Sequence, residues 1–206
     1  MPDASIETQQ TYDVIASTYT RVNSAVDSRL LEDIALLTAR LSPGATVADV
    51  GCGPGREIAL LQEHGLRVIG LDLSFGQLRT GGQPGVAQAD MRRLPLQSDS
   101  VDAIWCQAAL LHVPHREVPA VLDQFARTLR LGGQLYLNVT EGDGEGWEIA
   151  SNYGSDRRRW FTFHQLSGLT GLLTAAGFEV HHVTRTQASR TWLAVHAHRV
   201  NTSTLS

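Results

Sequence analysis

The stretch from Ala45 to Glu57, A-T-V-A-D-V-G-C-G-P-G-R-E, constrains this chain more than any other. Val47, Ala48 and Val50 form a short apolar run interrupted by Asp49, which suits a strand buried on both faces of a parallel sheet. Gly51, Gly53 and Gly55 then fall within five residues, where a backbone without Cβ atoms can turn sharply and let a ligand approach. Ile58, Leu60 and Leu61 start a helix that Gly65 closes. Strand, glycine turn and helix N-terminus together form the layout of a nucleotide-type site in an open α/β sheet.

The rest of the chain repeats that alternation. Arg67–Asp72, Val86–Met91, Val101–Gln107 and Gln134–Val139 read as further strands, and Phe178–Arg185 and Thr191–Arg199 as a closing pair. Leu30, Ile34, Leu37 and Leu41 mark an amphipathic helix stopped by Ser42-Pro43-Gly44. Val118, Val121, Leu122, Phe125 and Leu129 mark another, with Gly132-Gly133 at its end. A last helix carries Leu166, Leu169, Leu172 and Leu173, with Thr162 and Gln165 at capping-box spacing. Met1–Thr8 and Asn201–Ser206 read as frayed ends.

With 206 residues, 42% hydrophobic and 18% charged, one domain over 1–206 is expected. A formal charge of −4 and the lack of a Lys/Arg stripe speak against a nucleic-acid surface. No apolar run approaches the ~20 residues of a membrane span, and the N-terminus lacks a signal-peptide pattern. The two cysteines, Cys52 and Cys106, are too few for a disulfide framework, so a cytoplasmic setting is expected. His181, His182, His196 and His198 lie on neighbouring strands without a cysteine or acid to complete a ligand set, and no metal is expected.

Asp49 decides between ligand types. A carboxylate beside a pyrophosphate repels it, by at least ~1 kcal/mol near ~4 Å even in water. A ligand with a cationic end and no phosphate suits it. The D-V-G-C-G-P-G run resembles the glycine motif of the class I S-adenosylmethionine-dependent methyltransferases. Asp72, about 20 residues past the glycines, stands where an acid can accept hydrogen bonds from ribose hydroxyls; Asp90 and Met91 match the family's adenine-contacting pair. L-L-H-V-P at 110–114 and R-x-F-T followed by A-G-F resemble later family segments, with Leu131 replacing the usual proline of P-G-G.

The resemblance implies a Rossmann-like, doubly wound α/β fold. Its seven-stranded sheet is mostly parallel, with an antiparallel last strand and helices on both faces. It implies S-adenosyl-L-methionine as cofactor, S-adenosyl-L-homocysteine as product, and a small molecule or short peptide accepting at O, N or S. The Y-D-V-I-A-S-T-Y segment, within a helix over about 7–21, resembles a lid that sets Tyr19 by the methionine end and Tyr12 nearer the acceptor. Cofactor contacts are expected from Gly51, Cys52, Gly53 and Arg56 at the turn, from Asp49, Asp72, Leu73, Asp90 and Met91, and from the backbone at Cys106 and Gln107.

His112 is the one imidazole expected near the transferred methyl, as a base or as a hydrogen-bonded wall. An insertion over about 141–163 is expected to wall the acceptor. Arg159 and His164 are candidate contacts there. Trp147, in a glycine-interleaved acidic loop over 141–147, could stack on a cation, although such a run commonly forms a solvated loop. A nicotinamide oxidoreductase and a non-catalytic S-adenosylmethionine-binding module are the alternatives.

Overall fold

The computed structural model describes residues 3–201. Nine strands and six α-helices alternate within them. Helix α1, Ala4–Val22, starts where Asp3 accepts the Ser5 amide, so most of the N-terminal stretch read as frayed is helical; residues 1–2 and 202–206 lie outside the described residues. Helix α2, Ser28–Thr38, is capped by Asp27 on Leu30 N and buries Leu30, Ile34 and Leu37. It stops three residues before Leu41, which packs as a partly buried neighbour beyond the helix end.

The core of the chain continues β1 (Thr46–Val50), α3 (Arg56–Glu63), β2 (Arg67–Asp72), α4 (Phe75–Gly81), β3 (Val86–Gln88), β4 (Val101–Gln107), α5 (Val118–Thr128) and β5 (Leu129–Thr140). A hairpin of β6 (Glu145–Ile149) and β7 (Arg158–Thr162) follows, then α6 (Leu166–Ala175), β8 (Phe178–Gln187) and β9 (Thr191–Arg199). The seven-stranded sheet has the order β3-β2-β1-β4-β5-β9-β8. Its first five strands pair in parallel, and β9 runs antiparallel between β5 and β8. This is the Rossmann-like architecture with one reversed strand.

The pleat divides the core in two, because successive side chains in a strand point to opposite faces. Ile104, Cys106, Leu135 and Leu137 face α5 and α6. Ala103, Trp105 and Tyr136 face α2 and α3. Trp105 and Tyr136 stack with ring centroids 3.8 Å apart, and both are almost fully buried. By the same alternation Asp49 shares the α2/α3 face with Val47.

Four local expectations change. Strand β3 ends at Gln88, and Asp90 caps a single 3-10 turn, Met91–Arg93; the Asp90 side chain bonds the Arg92 amide and so ends the strand. Helix α5 ends at Thr128, not at the glycines. Leu129 already has extended backbone, and Gly132-Gly133 sit in an irregular stretch of β5 where the pairing jumps from Val101↔Leu129 to Ala103↔Gln134. The acidic loop is largely structured, with Trp147 paired to Trp160 across the β6–β7 hairpin. Thr162 does not cap α6; its hydroxyl donates to the Val113 carbonyl at 2.7 Å, and Gln165 occupies the cap position without a capping bond, its amide donating to Asp143 instead.

Gly81 lets the end of α4 touch the glycine turn. A Cβ there would lie 1.9 Å from the Pro54 carbonyl oxygen, and backbone cannot give way as a flexible side chain can. Gly81→Ala is expected to lower stability by about 1–3 kcal/mol in urea unfolding. Gly171→Ala, inside α6 with nothing within 4 Å, is expected to raise it by about 0.5–1 kcal/mol.

Candidate active site

The carboxyl ends of β1, β2 and β4 converge on the glycine turn. Gly51 takes φ 79, and an added Cβ would stand 2.1 Å from that of Ala109, so no other residue fits without moving the turn after β4. The amides of Gly51 and Cys52 both donate to the Leu71 carbonyl. The Gly53 amide donates to Asp72 Oδ2 at 2.8 Å, and the Ser74 amide donates to Asp72 Oδ1 at 2.7 Å. Asp72 is therefore pinned at the end of β2. Burial pushes its carboxyl up to about 6, against the lowering effect of those amides, with Asp13 adding repulsion.

Asp49 lies beneath the turn and is 1% exposed. Its Oδ2 is buried without a hydrogen-bond partner. Burial, and then the charges of Glu57 and Asp72, hold its carboxyl well above the ordinary carboxylate range; Arg56 acts the other way. Arg56 pairs with Glu57 and donates to the Asn23 and Ala25 carbonyls, so it ties the turn to the segment after α1. Cys52 is buried, and burial pushes its thiol far up. Asp90 is held by Arg92, whose Nη2 lies 2.7 Å from Oδ2; Arg92 also pairs with Glu117 and Asp3.

A cavity of about 110 Å³ opens between these groups and α1. Gly51, Gly53, Asp72, Leu73, Asp90 and Met91 line it from the sheet side, and Tyr12 and Tyr19 from the helix. The three acids expected to share one cleft are thus gathered at one edge, Asp72 and Asp90 on the wall and Asp49 just under the turn. Helix α1 is a cover anchored at several points. Asp13 Oδ1 accepts from Ser74 Oγ at 2.6 Å and from the Gly76 amide at 2.7 Å, and Arg158 pairs with Glu7 at 2.6 Å. Neither Asp13 nor these partners stood out in the sequence, because acid, hydroxyl and amide come from segments about sixty residues apart.

His112 lines the same cavity with both ring nitrogens engaged. Nδ1 lies 2.6 Å from the Trp160 carbonyl, which makes it the protonated nitrogen. Nε2, 2.8 Å from the Tyr12 hydroxyl, then accepts. Arg159 Nη1 donates to Tyr12 at 3.1 Å, so one direction of donation runs Arg159, Tyr12, His112, Trp160. Burial lowers the imidazole to about 3, with Arg159 and Arg190 opposing its charge, and burial raises the Tyr12 phenol to about 12. With both ring nitrogens engaged, the imidazole stands in this structure as a hydrogen-bonded wall of the cavity.

The remaining candidates separate. Cys106 turns its side chain into the α5/α6 core, while Gln107 and Ala108 reach the cavity. Ala108 has φ 50, a left-handed conformation costly for a residue with a Cβ. Trp147 does not line the cavity; Arg158 lies 4.3 Å over its ring. Arg159 is 6% exposed and sits behind Tyr12, Tyr153 and Phe161. His164 is buried against His115, and burial lowers it to about 4.

A second, larger cleft adjoins the first through Tyr19, Gly51, Gly53, Gln107 and Ala108. Asn23, Asp33, Tyr136, Asn138 and Trp192 lie deeper in it. None of Trp147, Arg159 and His164 reaches this cleft. Asp33, Tyr136 and Asn138 were hidden in sequence inside segments that read as plain helix or strand. Among the described residues no group of three or more His, Cys, Asp or Glu side chains could hold a metal ion, and no helix is long and apolar enough to cross a membrane.

Residues 48–137 match the family model of a methyltransferase domain. Among curated proteins the chain is 35% identical over 108 residues to the methyltransferase GfsG of Streptomyces halstedii, covering 47% of this chain and 38% of that protein. It is 33% identical over 162 residues to a malonyl-[acyl-carrier protein] O-methyltransferase of Herminiimonas arsenicoxydans, covering 75% and 59%. The chain thus spans less than two thirds of either relative. Among solved structures it resembles a Burkholderia thailandensis 1,6-didemethyltoxoflavin-N1-methyltransferase, which was solved with 1,6-didemethyltoxoflavin and S-adenosylhomocysteine. That likeness has a TM-score of 0.73 at 21% identity and covers 95% of this chain and 88% of that one.

Asp49 makes a linkage prediction. Its folded-state pKa is raised, so the folded protein keeps a proton that the unfolded chain gives up, and stability falls as pH climbs through that window. Asp49→Asn is therefore expected to raise the thermal midpoint of the ligand-free protein at pH 8 by a few degrees, at roughly 2–4 °C per kcal/mol. Near pH 4 the two proteins should melt together; scanning calorimetry at both pH values checks this.

Proposed function

We propose, from the premise that the chain belongs to the class I S-adenosylmethionine-dependent methyltransferases, that it methylates an oxygen, nitrogen or sulfur of a small molecule or short peptide. The observation that carries this reading is Asp49, a buried carboxylate with an orphaned oxygen under the glycine turn. It suits a ligand with a cationic end and opposes a pyrophosphate. The polar residues around the first cavity fit the rest of such a ligand.

In this reading Asp72 accepts from the ribose hydroxyls, and Asp90 meets the adenine amine while Met91 packs on the ring. Gly51, Gly53, Leu73, Tyr19 and Gln107 enclose the remainder. Arg56 braces the turn, and Cys106 supports it from the core. When bound, S-adenosylmethionine supplies an electrophilic methyl on a sulfonium. The chain then has two tasks, to exclude water and to hold the nucleophile in line; such positioning can supply up to ~7–11 kcal/mol. Helix α1 closes over the first cavity through Asp13 and Tyr12. His112 keeps Tyr12 in place and leaves proton uptake to other groups. The names of the similar proteins state methylation at an oxygen, for malonyl on an acyl-carrier protein, and at a nitrogen, for a small molecule, which supports an oxygen or nitrogen acceptor.

Titration calorimetry with S-adenosylmethionine, S-adenosylhomocysteine and NADH, followed by transfer of an isotope-labelled methyl into a metabolite extract, tests the proposal. The expected result is binding of the first two ligands, none of NADH, and label in at least one extract compound. Preference for NADH would favour an oxidoreductase, and binding without label a non-catalytic module. Binding should also weaken as pH falls below about 6, by up to tenfold per unit, because a proton on Asp72 must leave before the carboxylate can accept. His112→Ala should loosen S-adenosylmethionine binding severalfold and leave the shape of the pH–rate profile unchanged; loss of a limb would restore it as a base.

A further inference from the structure

The larger cleft has a polar floor that the cofactor reading does not use. Asp33, on α2 and 2% exposed, lies with Oδ1 3.3 Å from His196 Nε2 and Oδ2 3.0 Å from the Tyr136 hydroxyl. The same hydroxyl stands 2.8 Å from Gln107 Oε1. One phenolic proton thus faces two oxygens. A bond to a carboxylate is roughly twice as strong as one to a neutral amide, so Asp33 takes the proton. Gln107 must then turn its NH₂ to the Tyr136 oxygen, since an amide's nitrogen and oxygen are assigned by the partners they meet. Only contacts of 3.5 Å, from Gln107 to Asn138 and from Asn138 to the Leu193 carbonyl, favour the opposite sense, and these exceed ordinary hydrogen-bond length.

Gln107 lines both cavities, and its turned carbonyl takes the amide's former place, 3.5 Å from Asn138 in the larger cleft. We infer that the larger cleft receives the methyl acceptor, and that Asp33, acting through Tyr136, sets Gln107 Oε1 to accept a hydrogen bond from an O–H or N–H nucleophile. Asp33 is a positioning residue here, and Gln107 the group that touches substrate. The acceptor class is then a hydroxyl or amine. A carboxylate, which has no proton to offer at neutral pH, would set oxygen against oxygen. Trp192 gives the cleft aromatic surface, which suits a planar acceptor. This inference rests on the methyl-transfer reading.

Two measurements test it. A neutron structure of the deuterated, ligand-free protein distinguishes an ND₂ group from an oxygen beside Tyr136. The ND₂ group is expected in the parent protein and the oxygen in Asp33→Leu. Oxygen beside Tyr136 in the parent protein overturns the inference, even if Asp33→Leu does not fold. Calorimetry with the S-adenosylhomocysteine complex then compares catechol, benzylamine and benzoate. Catechol and benzylamine are expected to bind and benzoate not, with Gln107→Leu weakening catechol roughly tenfold. Benzoate binding as tightly as catechol, no binding of either donor probe, or an unchanged Gln107→Leu overturns it. Failure of S-adenosylhomocysteine to bind removes the methyl-transfer reading and the acceptor class with it, while the amide orientation stands on the neutron result alone.

Discussion

A buried carboxyl group with an unpartnered oxygen sits at the centre of this molecule. Asp49 is held under the glycine turn by strand β1, which pairs on both sides with β2 and β4 and cannot shift. Glu57 and Asp72 add negative charge nearby, and Arg56 only partly offsets it. A folded chain carries such a group at a cost in stability. In the proposed reading a cationic ligand supplies the missing charge, so that the same residue would weaken the empty protein and strengthen the filled one.

The cover over that site is built from the opposite kind of interaction. Helix α1 is tied down by hydrogen bonds whose donors and acceptors match: Asp13 to the start of α4, Thr8 to the Trp160 amide, and Tyr12 into the line running from Arg159 to His112. Each link is modest, on the order of 1 kcal/mol. Together they close a cavity that Tyr12, Tyr19 and His112 line. The β6–β7 hairpin therefore acts chiefly as a buttress for the cover, with Trp147 and Arg158 stacked on its surface.

Two cavities with different linings meet at the carboxyl edge of β4. The first is bounded by acids and backbone at the glycine turn, the second by α2, β5 and β9. Gln107 and the left-handed Ala108 form the rim they share. A left-handed alanine is held there by the hydrogen bond its backbone N–H donates to the Asn138 carbonyl. The junction is stiff for that reason, as the proposed alignment of two ligands there requires.

The order of the seven strands of the main sheet was legible in the sequence, but helix α4 and the β6–β7 hairpin were not. Buried parallel strands such as β2 and β4 must be continuous apolar runs, and their limits agree residue for residue with the structure. The glycine turn was legible because Gly51 answers a steric demand no other residue meets. Asp49, Asp72 and Asp90 could be placed at one edge because every parallel strand ends on the same side. What pairs with those groups was not legible. Asp90 pairs with an arginine two residues on and, through it, with Glu117. His112 finds its partners 48 and 100 residues away, and Tyr136 meets Asp33 across 103. Sequence alone determined the alternation of elements and the glycine-and-acid edge, because periodicity and backbone sterics are local. Tertiary structure alone decided which polar groups are spent on one another and which stay open to a ligand, because hydrogen-bond partners are chosen by packing across the whole chain.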